Sequence, residues 1–300
     1  MKMFTKLALV SSIAISANAM AMQSMDDAAL SSTTGQDGLN IGIGISKVTI
    51  DQLAIHDNDG LATANGGTGE AGAIVIKANG DGTNGTVAHG VEITANTSSL
   101  LASHNLADLT IDTDAGTNGA FLNVGAQVSG LVIKVGEIGV DKSNDYTTGA
   151  VVRGVEGGSS YNKILNGLTI TTGVMDANIQ LGSAPQGAMI KLNSTMQGGL
   201  ELSNLSIHDG STNGGGDIVL DSIKVASVGS SDLALDASVS VTTGGLKITS
   251  NDATGNNIYI KGVHLGSAAA GSIGDVEVSG LRTYYGLNGT AGSQITITGH

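Results

Sequence analysis

The chain has 300 residues and a net charge of −13, with 26 Asp and Glu against 13 Lys and Arg. That acidic balance argues against nucleic acid and anionic membrane surfaces as partners, and the absence of Cys excludes disulfides, thiolate chemistry and a lipidated cysteine anchor. With 46 Gly, one Pro, two Phe, five Tyr and no Trp, the core must be built from Val, Ile, Leu and Ala; only 13% of residues are charged, against a usual ~25%.

Lys2 and Lys6 flank the start of a short apolar run, Leu7 to Ile15. Ala17-Asn18-Ala19 then offers a small-x-small cleavage site, with Ala19-Met20-Ala21 a second choice. Residues 1–21 read as a signal peptide. A run of about nine apolar residues is too short for a bilayer, which needs ~20. No later stretch is long and apolar enough to span as a helix, so the mature chain is expected to be exported with no integral membrane span.

Residues 22–39, "MQSMDDAALSSTTGQDGL", form a segment of their own. Asp26 can cap a short helix through Ala28, Ala29 and Leu30, and Thr33-Thr34-Gly35 ends it. From residue 40 to 300 a single β-rich domain is expected. "LNIGIGISKVTIDQLAIHDNDG" opens it, and "AIVIKANGDG", "LADLTIDTDAG", "AQVSGLVIKVGEIG" and "NGLTITTGVMDANIQLGS" continue the pattern, up to "SQITITGH". About a dozen aliphatic β segments alternate with Gly/Asn/Asp/Ser turns, the signature of an all-β chain. Residues 59–72, "DGLATANGGTGEAG", read as a loop.

One irregularity recurs. In "LELSNLSIHDG", Leu200 and Leu202 alternate with polar residues, then Leu205 and Ile207 restart the alternation one residue late. Val48, Ile50, Leu53 and Ile55 repeat this slip. So do Ala126, Val128, Leu131 and Ile133, then Ile218, Leu220, Ile223 and Val225, then Ile258, Ile260, Val263 and Leu265. Val276, Val278 and Leu281 fit three positions of four. Small or polar pairs such as Asp51-Gln52, Ser129-Gly130 and Ser203-Asn204 sit at the slip.

A slip of one residue is either a β-bulge or a corner between two short strands that share one core. Recurrence with similar residue types favours the corner, and an 18-residue spacing (200 to 218, 258 to 276) is close to one coil of a parallel β-helix. The expected fold is therefore a β-solenoid rod, of about a dozen coils and ~60 Å at ~4.8 Å per coil. An elongated antiparallel β-sandwich or prism is the alternative, and a barrel the third choice. Segment 22–39 is a candidate cover for one end, and "SQITITGH" is expected to be free to pair with a neighbour.

The search for chemistry is mostly negative. Gly67-Thr68-Gly69-Glu70-Ala71-Gly72 matches a dinucleotide fingerprint but lacks the βαβ context. The six His have no zinc-type spacing. Asp57 and Asp59, and Asp112 and Asp114, place carboxylates in Gly turns and are candidates for structural calcium, although none completes a calcium loop; as plain turns they need no metal. No other cofactor is expected. Tyr284 and Tyr285, beside Arg282, are candidates for stacking on a sugar, with covering of one end of the core the favoured reading.

The stretch "MDDAALSSTTGQDGLNIGIGI", residues 25–45, resembles the start of a family of exported γ-proteobacterial proteins that includes the FilA-type pilus-assembly proteins. Asp27, Leu30, Ser31, Thr34, Gly35, Gln36 and Gly38 carry the resemblance. It implies a surface or filament-associated structural role and no catalytic residue. The expected function is an exported, non-enzymatic structural protein in or on a cell-surface filament or pilus of a Gram-negative bacterium, pairing with itself or other filament subunits through strand edges. A polysaccharide-binding or polysaccharide-cleaving β-helix and a periplasmic assembly factor are the alternatives.

Overall fold

The computed structural model describes residues 38–299. The alternating aliphatic runs form strands throughout: β1 (Leu39–Ile43), β2 (Lys47–Ile50), β3 (Gln52–His56), β4 (Gly72–Lys77), β5 (Val91–Ala95), β6 (Ala107–Asp114), β7 (Phe121–Val128), β8 (Leu131–Val135), β9 (Glu137–Lys142), β10 (Asn162–Leu165) and β11 (Leu168–Thr171). There follow β12 (Met175–Gly182), β13 (Ile190–Met196), β14 (Leu200–His208), β15 (Asp217–Ser227), β16 (Leu233–Thr242), β17 (Gly245–Ser250), β18 (Asn256–Gly266), β19 (Val276–Leu281), β20 (Tyr284–Tyr285), β21 (Thr290–Ala291) and β22 (Ser293–Ile297). Among the described residues the only helical pieces are single 3₁₀ turns at Thr63–Asn65 and Gly158–Ser160. The short helix expected within 22–39, and that segment's part as an end cover, lie outside the described residues.

Every pairing is antiparallel. One sheet of eight strands runs β1-β6-β7-β12-β13-β16-β17-β22. The other, of twelve, runs β2-β5-β8-β11-β14-β15-β18-β19 and carries a side branch, β10-β9-β4-β3, from β14. Neither sheet closes on itself. These findings overturn the parallel solenoid and the barrel, and fit the antiparallel alternative. The slip marks a bend in the chain but carries no information on chain direction. The 18-residue spacing from 200 to 218 is a hairpin, with Leu205 opposite Leu220 and Ile207 opposite Ile218.

The two sheets share their rows. β1 leads within three residues into β2, as β7 leads into β8, β11 into β12 and β13 into β14. Each row thus crosses the first sheet, turns a corner, and continues in the second. Eight such rows lie side by side, from β1-β2-β3 to β22 and β19. At ~4.8 Å per row they span about 38 Å along the stacking direction, less than the expected rod.

Within the second sheet the slips line up as one crease. It passes between β2 and β3 at Asp51, between β8 and β9 at Gly136, and between β10 and β11 at Asn166-Gly167. It then crosses β14 at Asn204, β15 at Asp221 and β18 at Gly262. In β14 and β15, Ser203 pairs with Ser222 and Leu205 with Leu220, leaving Asn204 and Asp221 opposite each other as an unpaired step. Asn204 has φ +59° and Gly262 φ +63°, and at these two positions a left-handed backbone accompanies the shift in side-chain phase. Asn tolerates it better than other residues bearing a Cβ. Asn204→Val is therefore expected to cost about 1–2 kcal/mol, and Asn204→Gly close to nothing. Chemical unfolding of both variants checks this; an equal loss in both, or none in either, would reject the crease.

Ser129-Gly130, another of the slips, is a corner between strands as expected, from β7 in the first sheet into β8 in the second. Backbone groups remain paired along the crease. Gly90 N–H donates to Asp51 O at 3.0 Å, Gly136 N–H to Gly90 O at 2.8 Å, and Asn166 N–H to Ser206 O at 3.0 Å.

The core is thin. Seven apolar residues are buried among those described, with Val75 the most completely covered at 1% exposure, while 25 large apolar residues are exposed. Most inward rows are half-buried. One such row runs through all eight strands of the first sheet, half-buried along its middle and exposed at its two ends: Leu39, Ile111, Val124, Ile179, Ile190, Val239, Ile248 and Ile295.

Candidate functional site

The features that could act on another molecule are the two open ends of the row stack. Among the described residues, β1 and β2 at one end each have a neighbour on one side only, and so do β22 and β19 at the other. The sequences explain why these ends stay open to pairing. β1 is "LNIGI" and β22 is "SQITI", with no charge and no Pro in either. Proteins ordinarily block edge strands with Lys, Pro or a bulge. Leu39 and Ile41 at one end, and Ile295 and Ile297 at the other, are exposed. The expectation that "SQITITGH" can pair with a neighbour meets a β22 bonded on one side, to β17.

The outward face of the second sheet near β2 carries a short charge ladder. Lys47 Nζ lies 2.6 Å from Glu92 Oε2, and Lys134 Nζ lies 3.6 Å from Glu92 Oε1. The hydrogen bond and charge of Lys47, with Lys134 behind, hold the Glu92 carboxyl below the ordinary value of 4.5. A depressed carboxylate stabilises the fold above its unfolded pKa, and that contribution is lost as pH falls through the lower, folded value. A melting-temperature series should thus be flat in pH around neutrality, where the Glu92 contribution is complete, and begin to fall below about pH 4.5. Glu92→Gln should flatten that acid limb; identical limbs in the two proteins would contradict the ladder.

At the far end of the stack, Asp275 accepts hydrogen bonds from the Tyr259 hydroxyl and from Gly262 N–H at 2.9 Å. These donors keep its carboxyl below the usual range, the Tyr259 bond most of all. The loop before β19 is thereby tied to the crease at Gly262.

The sequence-predicted site residues do not converge. Asp57 Oδ1 accepts from the backbone N–H of Asp59 and of Gly60, both at 3.4 Å, and so shapes the turn after β3. Asp112 and Asp114 lie on β6 in the other sheet, where Asp114 Oδ1 accepts from Gly116 N–H at 2.6 Å. Among the described residues no three His, Asp or Glu side chains are grouped so as to hold a metal ion. Tyr284 is exposed and Tyr285 half-buried in the two-residue strand β20. Consecutive strand residues point to opposite faces, so the two rings do not form one stacking platform.

The histidines pin separate parts of the frame. His56 Nδ1 lies 2.7 Å from Ser143 Oγ, His208 Nδ1 2.9 Å from Asp217 Oδ1, and His89 Nδ1 2.7 Å from Asp51 Oδ1.

Sequence reasoning overlooked Lys47 and Glu277, the charged residues of the terminal strands β2 and β19. Their signal is visible in hindsight as one charge in each of two otherwise uncharged strands. A protein-family model described as a family of unknown function (DUF6160) matches residues 1–117, which reach just past β6. No curated protein and no solved structure matches the chain.

Proposed function

We propose that this chain is an exported, non-enzymatic structural protein that builds, or attaches to, a filament on the surface of a Gram-negative cell. The observation that carries the reading is the pair of uncharged edge strands, β1 and β22, at opposite ends of one stack. Such edges recruit further strands. The thin core adds support, because a chain with so many exposed aliphatic residues gains burial by association. The leader-like residues 1–21 and the resemblance of residues 25–45 to FilA-type proteins point the same way. In this reading the protein's work is mechanical, with hydrogen-bonded rows carrying load along the stack.

Electron microscopy of surface material from wild-type and deletion cells, with immunogold labelling, tests it. Labelled fibres in the wild type that are lost on deletion are expected. Unchanged fibres, with the protein confined to the periplasm, would remove the filament reading and favour an assembly factor.

A further inference from the structure

We propose that copies of this chain join head to tail, the β22/β19 end of one copy pairing with the β1/β2 end of the next, in a register the fold already sets. The inference rests on the filament reading above and names its partner as a second copy of the same chain.

Parity is the first argument. The eight-stranded sheet alternates strand direction from β1 to β22, and the second sheet alternates through eight strands from β2 to β19. Because eight is even, β22 runs opposite to β1 and β19 runs opposite to β2. A copy displaced along the stacking direction, without inversion, therefore places antiparallel partners together in both sheets at once. An odd number of rows would have forced a parallel joint.

Row continuity is the second argument. The first sheet's apolar row begins at Leu39 and ends at Ile295. The equivalent row of the second sheet begins at Val48 and ends at Val276. Bringing Ile295 opposite the next copy's Leu39 extends the first row, and Val276 opposite Val48 extends the second. Gln294 then falls opposite Asn40, both members of the polar row between.

Charge is the third. The outward row next to Val48 starts with Lys47 and runs through Thr94, Val132, Thr171, Glu201, Lys224 and Tyr259 to Glu277. In the register just given, Glu277 of one copy faces Lys47 of the next. Opposite charges across a strand pair favour this joint and like charges oppose it. The contact is heterologous and leaves the opposite end of each copy free, so it repeats along the stacking direction without closing.

The test uses the full exported chain, purified, with light scattering against concentration and circular dichroism to monitor folding. Wild type should assemble above a threshold concentration. Lys47→Glu and Glu277→Lys should each raise that threshold about tenfold, equivalent to about 1.4 kcal/mol. An equimolar mixture of the two variants should return it towards wild type, because the altered end of one variant meets the oppositely charged altered end of the other, while their unaltered ends meet as in the wild type. Glu277→Lys serves as the folding control, since Lys47 also neutralises Glu92 within its own chain. Assembly insensitive to both variants, or no rescue on mixing, overturns the joint while leaving the filament reading intact. A closed two-fold dimer overturns it as well. A protein that stays monomeric at every concentration, with slowly exchanging β1 amides, shows that the chain's own N-terminal segment covers that edge; together with unchanged surface fibres in the deletion strain, it removes the filament reading too.

Discussion

Gly136→Val is expected to destabilise the domain by about 3 kcal/mol, a fall of roughly 6–12 °C in melting temperature for a chain of this size. Gly136 stands where the crease separates β8 from β9. A Cβ there would lie 2.1 Å from Lys77 O and 3.0 Å from His89 O, both backbone atoms that have no rotamer by which to move away. Its N–H also donates to Gly90 O at 2.8 Å. Shifting the strand to make room would break the bond that carries pairing across the crease. Gly229→Val provides the control: it lies in the turn from β15 into β16, where a Cβ meets nothing within 4 Å, so only the strain of its φ of +78° remains. Urea unfolding of both variants separates crowding from backbone strain. A Gly136→Val protein no less stable than Gly229→Val would contradict the packing of the crease.

Ser129→Ala should cost about 2–3 kcal/mol although it removes a single oxygen atom. Ser129 is 0% exposed, at the corner between β7 and β8. Its hydroxyl donates to Asn105 O at 2.7 Å and accepts from Leu101 N–H at 3.0 Å. Its own N–H donates to Leu106 O at 2.9 Å. Alanine leaves a half-buried carbonyl and a buried N–H without these partners, and burial turns that loss into a desolvation cost. The stretch between β5 and β6 should loosen first, so amide exchange at Leu101 should speed up more than exchange in distant rows. A loss below about 0.5 kcal/mol would contradict the corner as a hydrogen-bonded joint.

The strands and their turns were legible in the sequence because aliphatic alternation with Gly, Asn and Asp punctuation is a local signal. The bend inside "LELSNLSIHDG" was legible for the same reason: Asn204 can hold a positive φ, and the phase of the leucines records it. Chain direction between neighbouring rows was not legible. A corner between two inward-facing strands looks identical whether the next row arrives by a long coil or a hairpin turn. Ser129-Gly130 is a corner between strands, as expected, whereas the slips at Asn204, Asp221 and Gly262 fall inside one sheet. The two were not separable in the sequence, because a corner between sheets and a crease within one produce the same one-residue slip. The charges at the ends were invisible until pairing placed Lys47 and Glu277 on one row, seven pairings apart. The expected calcium and sugar candidates came from short motifs, and such motifs do not say which sheet or face a side chain will occupy.

Cryo-electron microscopy of the assembled protein tests the central claim most directly, that eight antiparallel rows stack end to end through their open edges. The account predicts an axial repeat of about 38 Å per subunit, built on the ~4.8 Å row spacing, with both sheets continuous across the joint and β22 bonded to the next copy's β1. Fibres whose subunits meet through any other surface, or a repeat that is not close to eight rows, would contradict it.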